Sequence, residues 1–180
     1  MNVSDKARET EFIGWEFLEW LWFRSERDSG VIDLGEKGFV EIAFEGKMTL
    51  ESELEEAESS ISFTGSSPLP REARFALSQN RNITRTALRL THGDEEYHFS
   101  IDSLWMNFNS LKTPKVLLDL KSDPEGLFYE KIGLIEKAVS LFDRVFNHYL
   151  ELRLSSGWRE GEQKELSDWI RKGKFQDTNS

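Results

Sequence analysis

Apolar and polar positions follow three different rhythms along this chain, and each rhythm predicts an element. Residues 12–26, FIGWEFLEWLWFRSE, are too long and too irregular for a strand and predict a helix. At 100° per residue Glu16, Glu19 and Glu26 fall on one narrow stripe, while Phe17, Leu18, Trp20, Leu21 and Trp22 spread over most of the remaining circumference. Such a helix needs cover on both flanks. Residues 39–46 (FVEIAFEG), 47–54 (KMTLESEL) and 59–65 (SSISFTG) alternate as strands do, with Gly46 and Gly65 as punctuation, and predict a β-meander. REARFALSQN, residues 71–80, predicts a short helix, with Pro70 suited to its first turn and Asn80 to its C-terminal cap. Ile83–His92 and Glu96–Ile101, split by the turn-forming Gly93 and Asp94, predict a second hairpin. The stretch LWMNFNSLKTPKV after it has no clear period, and Pro114 limits any regular element there.

The last pattern is the longest. Phe128, Ile132, Ile135, Val139, Phe142, Phe146 and Tyr149 recur at alternating steps of four and three, which predicts a long amphipathic helix. A second row of Leu134, Ala138, Leu141 and Val145 widens the stripe and suits a helix laid across a sheet. Pairing with a second copy of the chain, a homodimer, is the other arrangement this row permits. Gly157 allows a break, after which Glu162–Arg171 predicts a short helix anchored by Leu166, Trp169 and Ile170. The expected fold class is α+β: an antiparallel sheet of about five strands, a tryptophan-rich N-terminal helix and a long C-terminal amphipathic helix. A single domain at 12–171 is expected, between flexible ends at 1–11 and 172–180.

Composition narrows the chemistry. A chain of 180 residues supports one sizeable core, and its 13 Phe and 6 Trp suit packing or an interface. The absence of cysteine excludes disulfides, a thiolate nucleophile and cysteine-ligated zinc, and fits a reducing cytosol. The polar start MNVSDKARET lacks a signal core and no apolar run reaches a membrane span's length, so a cytoplasmic protein without membrane association is expected. A net charge of -10 argues against a general nucleic-acid binder, yet the charge is uneven. Five glutamates and no base lie between Glu51 and Glu58, whereas five arginines against one glutamate lie between Arg71 and Arg89.

Those arginines are the candidate phosphate contacts. Even spacing along a strand puts Arg85 and Arg89 on one face, joined by Arg81 if the strand starts early. With Arg71 and Arg74 on the preceding helix, and Lys112 and Lys115 in the later stretch, they compose a candidate nucleic-acid surface. The opposing reading pairs the arginines with glutamates across the sheet. Trp15, Trp20 and Trp22 are a candidate partner interface, against burial beneath the C-terminal helix. His92 and His98 across the second hairpin, near Asp94, Glu95 and Glu96, suggest a metal site, but no ligand spacing supports one, and His148 reads as a surface or packing residue. No nucleophile elbow, phosphate loop, dinucleotide fingerprint or deaminase signature occurs, so no catalytic residue, cofactor or metal is assigned.

Four ordered blocks carry a resemblance: FIGWEFLEWLWFRSE, REARFALSQNRNITRTALRL, SLKTPKV and GLFYEKIGLIEKAVSLFDRVFNHYLELRLSSGW. Over residues 12–170 they resemble the C-terminal extension of long recombination-associated proteins of the RdgC type, where a similar F-L-x-W-L-W-x-x-S-E segment opens the region. The resemblance implies association with DNA, since RdgC proteins are ring-like clamps that hold duplex without sequence preference and restrain recombinase action. The family's N-terminal core with its basic lining has no counterpart in these 180 residues. The expected function is therefore a non-enzymatic accessory module linked to recombination or replication, at the nucleoid. It either makes weak, non-specific DNA contact or docks on an RdgC-like DNA-holding protein. A protein-interaction module without nucleic-acid contact is the first alternative, and an unrecognised hydrolase or nuclease the second.

Overall fold

The computed structural model describes residues 3–27, 29–52, 60–65, 71–116 and 123–172. Among these residues it is an α+β structure in two layers, one an antiparallel sheet and the other four helices. The helices are α1 (Val3–Glu26), α2 (Arg71–Ser78), α3 (Pro124–Leu154) and α4 (Glu162–Arg171). The strands are β1 (Val31–Asp33), β2 (Phe39–Ser52), β3 (Ser60–Thr64), β4 (Arg81–His92), β5 (Glu95–Asp102) and β6 (Phe108–Lys112). The sheet runs β1-β2-β4-β5-β6, with β3 pairing on β2 beside β1.

β2 is the spine, and it differs from the predicted meander. Residues 39–46 and 47–54 were expected to be two strands, but the chain continues through Gly46 as one strand of 14 residues. Gly46 adopts φ 52°, and Glu45 and Met48 of β2 face the adjacent Ala87 and Thr86 of β4. Two extra residues on β2 thus form a bulge that bends the strand without reversing it, which a glycine free to take positive φ allows. The other expected elements stand where the periodicity put them: the hairpin of β4 and β5 turns at Gly93 (φ 62°), and α2 ends with Asn80 at φ 58°, its N–H donating to Leu77 O.

α1 begins at Val3. The expected flexible tail at 172–180 lies outside the described residues beyond Lys172, as does most of the acidic run 51–58.

One sheet face is buried and the other is open. Val40, Ile42, Phe44, Met48 and Leu50 of β2, Ile83, Leu88 and Leu90 of β4, and Tyr97, Phe99 and Ile101 of β5 form the inner face. Phe17, Leu18, Trp20, Leu21, Trp22 and Phe23 of α1 are all buried over it. Each such side chain contributes about 1.5–3 kcal/mol relative to exposure, so α1 acts as the central wedge. Phe17 stacks edge-on against Phe142 and Phe146 of α3, and Phe142 also meets Phe99 and Phe108, so α3 lies across α1 and the sheet. α4 closes the other flank, where Trp169 packs edge-on to Trp22 at 5.1 Å and donates its indole N–H to Glu26. Glu16, assigned by helical projection to the polar stripe of α1, is buried instead. It accepts hydrogen bonds from the Tyr149 hydroxyl and Arg153 Nε, both at 2.7 Å.

Candidate functional site

The open sheet face is built by β2, β4 and β5, and its register decides which predicted cations meet. Arg85 stands opposite Thr49 and Asp102, Arg89 opposite Ala43 and His98, and Lys112 of β6 opposite His98. Arg85, Arg89 and Lys112 therefore share this face. Arg81 does not join them. Adjacent Thr49 and Leu50 on β2 face Arg85 and Ile83 on β4, so one extra residue in β4 forms a bulge and reverses its alternation beyond that point. Ile83 and Thr86 are both buried, and Arg81, two residues from Ile83, falls on the helix side of the sheet. Arg71 and Arg74 lie on α2, which packs on that same helix side through Ala73, Ala76 and Leu77. Lys115 is exposed beyond β6. The seven expected cations are thus divided between two layers and make no continuous phosphate track.

The centre of the open face is an ion cluster. Arg89 pairs with Glu45 at 3.5 Å and with Glu96 at 3.4 Å. His98 bridges the same two acids, Nδ1 to Glu45 at 2.8 Å and Nε2 to Glu96 at 2.7 Å. A neutral imidazole donates through one nitrogen only, so serving both carboxylates requires the imidazolium. The hydrogen bond to Glu45 accordingly raises the His98 pKa above its ordinary value, against the opposing effect of burial, and the bond to His98 lowers that of Glu96. A histidine held as a cation between two anions is a poor general base. Glu41, Glu45, Glu51, Glu96 and Asp102 share this face with Arg85, Arg89, His98 and Lys112, so acids offset these four bases.

The expected juxtaposition of His92 and His98 does not occur. His92 is in register with Glu95 at the hairpin end, whereas His98 faces Arg89, and the alternation of β4 and β5 puts the two rings on opposite faces. Among the described residues no group of three or more histidines and acids is placed to hold a metal ion. His148 packs near Trp20, with ring centres 6.3 Å apart, and burial lowers its pKa.

The tryptophan interface is corrected as well. Trp20 and Trp22 are fully buried beneath α3 and α4, and Trp15 is half-buried, because both flanks of α1 are covered from within the chain. An exposed tryptophan lies instead on the turn between β5 and β6, in the stretch without clear period. There Trp105 is 73% and Leu104 55% exposed. The turn is pinned: Asp102 Oδ1 accepts from the Trp105 N–H at 2.7 Å, and Met106 N–H donates to Asp102 O while holding φ 53°. A non-glycine residue at positive φ persists only where its surroundings impose it. The signal available in the sequence was Asp102 three residues before Trp105, the spacing of a side-chain-capped turn.

The fold and its surfaces define a two-layer α+β protein with one open, charge-balanced sheet face and an apolar corner. No helix among the described residues is long and apolar enough to cross a membrane. Comparison with models of known protein families, with curated proteins and with solved structures finds no match in any of the three.

Proposed function

We propose that this chain is a non-enzymatic accessory module of RdgC type that acts by docking on a protein rather than by gripping DNA. The observation that carries this reading is Trp105. It is a large aromatic held out to solvent beside Leu104 on a turn whose backbone is already fixed, so little ordering remains to oppose binding. The division of the arginines and the pairing of Arg89 favour docking over direct DNA contact. The resemblance supplies the partner, an RdgC-like DNA-holding protein, and with it a role in recombination or replication at the nucleoid.

The test combines two titrations. Purified chain is titrated onto labelled duplex and single-stranded DNA at low salt, where electrostatic attraction is strongest, and separately onto an RdgC-type ring protein. No DNA binding, together with ring-protein binding weakened about tenfold or more by Trp105→Ala, supports docking. Salt-sensitive DNA binding abolished by the Arg85→Ala, Arg89→Ala double variant overturns it in favour of direct contact.

A further inference from the structure

The apolar row of α3 is covered in one half and bare in the other. Phe142, Phe146 and Tyr149, its C-terminal members, pack against Phe17 of α1. Toward the N-terminus the row continues as Phe128, Ile132, Ile135 and Val139, of which Phe128 is 60%, Ile135 45% and Val139 36% exposed. Ile132 is half-buried and the neighbouring Tyr129 is exposed. The bare stretch is not the core-facing side of the helix. Leu134, Ala138, Leu141 and Val145 face the core about 100° further round.

We infer that this bare row is a self-association seam, on which α3 of a second copy of this chain lies parallel and in register. Steps of four, three and four place Ile132 and Val139 at a positions and Phe128 and Ile135 at d positions of a heptad. The flanking charges set the direction of the pairing. Lys131 then occupies a g position and Glu136 the following e position, both exposed, so each Lys131 meets Glu136 of the neighbouring copy and two ion pairs close over the seam. Lys137 points elsewhere, with Nζ 2.6 Å from Glu95 of β5. The seam ends where α1 covers Phe142, so beyond Val139 the two helices diverge around their α1 helices. It is distinct from the Trp105 corner, because Glu95 and Asp102 mark opposite ends of β5.

The test is the mass of the full chain by sedimentation equilibrium, across about 1–200 μM to span the range of weak to moderate affinities. The expected result is a monomer–dimer equilibrium whose dissociation constant rises about tenfold or more in Ile135→Glu, with an unchanged circular dichroism spectrum. Lys131→Glu weakens the dimer about fivefold, and adding Glu136→Lys restores it. The chain contains no cysteine, so Ile132→Cys gives a single probe, and its self-disulfide on mild oxidation reports parallel, in-register pairing. A monomer throughout the range, or a dimer indifferent to Ile135→Glu and to charge reversal, overturns the proposal. Failure of Ile132→Cys to cross-link in a dimer overturns its parallel register.

Discussion

Glu16 shows how much one side chain decides in this fold. Its carboxylate is buried between α1 and α3, and the Tyr149 hydroxyl and Arg153 guanidinium both donate to it. Burial, followed by the bond to Glu16, pushes the Tyr149 pKa well above the ordinary tyrosine range. Replacing Glu16 by Ala leaves two donors facing an emptied site and is expected to destabilise the protein by about 3 kcal/mol, read from urea denaturation. Tyr149→Phe removes one donor only and is expected to cost about 1 kcal/mol by the same measurement. Helical projection could not reveal this role, because Arg153 lies 137 residues away and nothing local announces a distant partner. His98 carries the pH dependence of the open face. Its raised pKa means that the cluster's stabilisation is complete below the ordinary value of about 6.5 and is lost as pH rises through the folded value. NMR titration of His98 is expected to show a pKa above that ordinary value, and Glu45→Gln is expected to lower it.

At the scale of elements, the sequence was most readable where periodicity ran unbroken and least where a bulge intervened. α3, α4 and the hairpin of β4 and β5 follow directly from their apolar spacing. Gly46 looked like a strand boundary and is a bulge within β2, and the irregularity in β4 turned Arg81 away from Arg85. The causes differ: two extra residues at Gly46 bend β2 but keep its alternation, whereas the one extra residue in β4 reverses every assignment beyond it. The seating of α1 was equally hidden. A Cβ added at Gly14 would come within 1.9 Å of Ser103 O, so α1 lies directly on the turn that leads to Trp105. Gly14→Ala is expected to force the helix off this turn and to lower stability by about 2–3 kcal/mol in thermal denaturation.

For the whole molecule, the sequence conveyed the class of architecture but not the location of its exposed apolar surface. Aromatic content marked α1 as a candidate interface, yet a residue's hydrophobicity does not say whether its cover comes from within the chain. α3 and α4 provide that cover, and the exposed large apolar residues among the described ones include Leu104, Trp105 and much of the N-terminal half of the α3 row. Trp22→Ala is expected to cost about 3–5 kcal/mol, whereas Trp105→Ala leaves the denaturation midpoint nearly unchanged; comparing the two separates core from docking surface.

The wedge position of α1 also has a consequence in time. Glu16 and Tyr149 are separated by 133 residues, and Arg24 meets Glu162 across 138, so the helix richest in tryptophan is translated long before the helices that enclose it. At ordinary elongation rates the interval is on the order of ten seconds, during which a nascent chain presents Phe17, Trp20 and Trp22 to the cell without their native lid. Ribosome-bound chains stalled before α3 should therefore recruit holdase chaperones through this helix, and chains extended past α4 should release them.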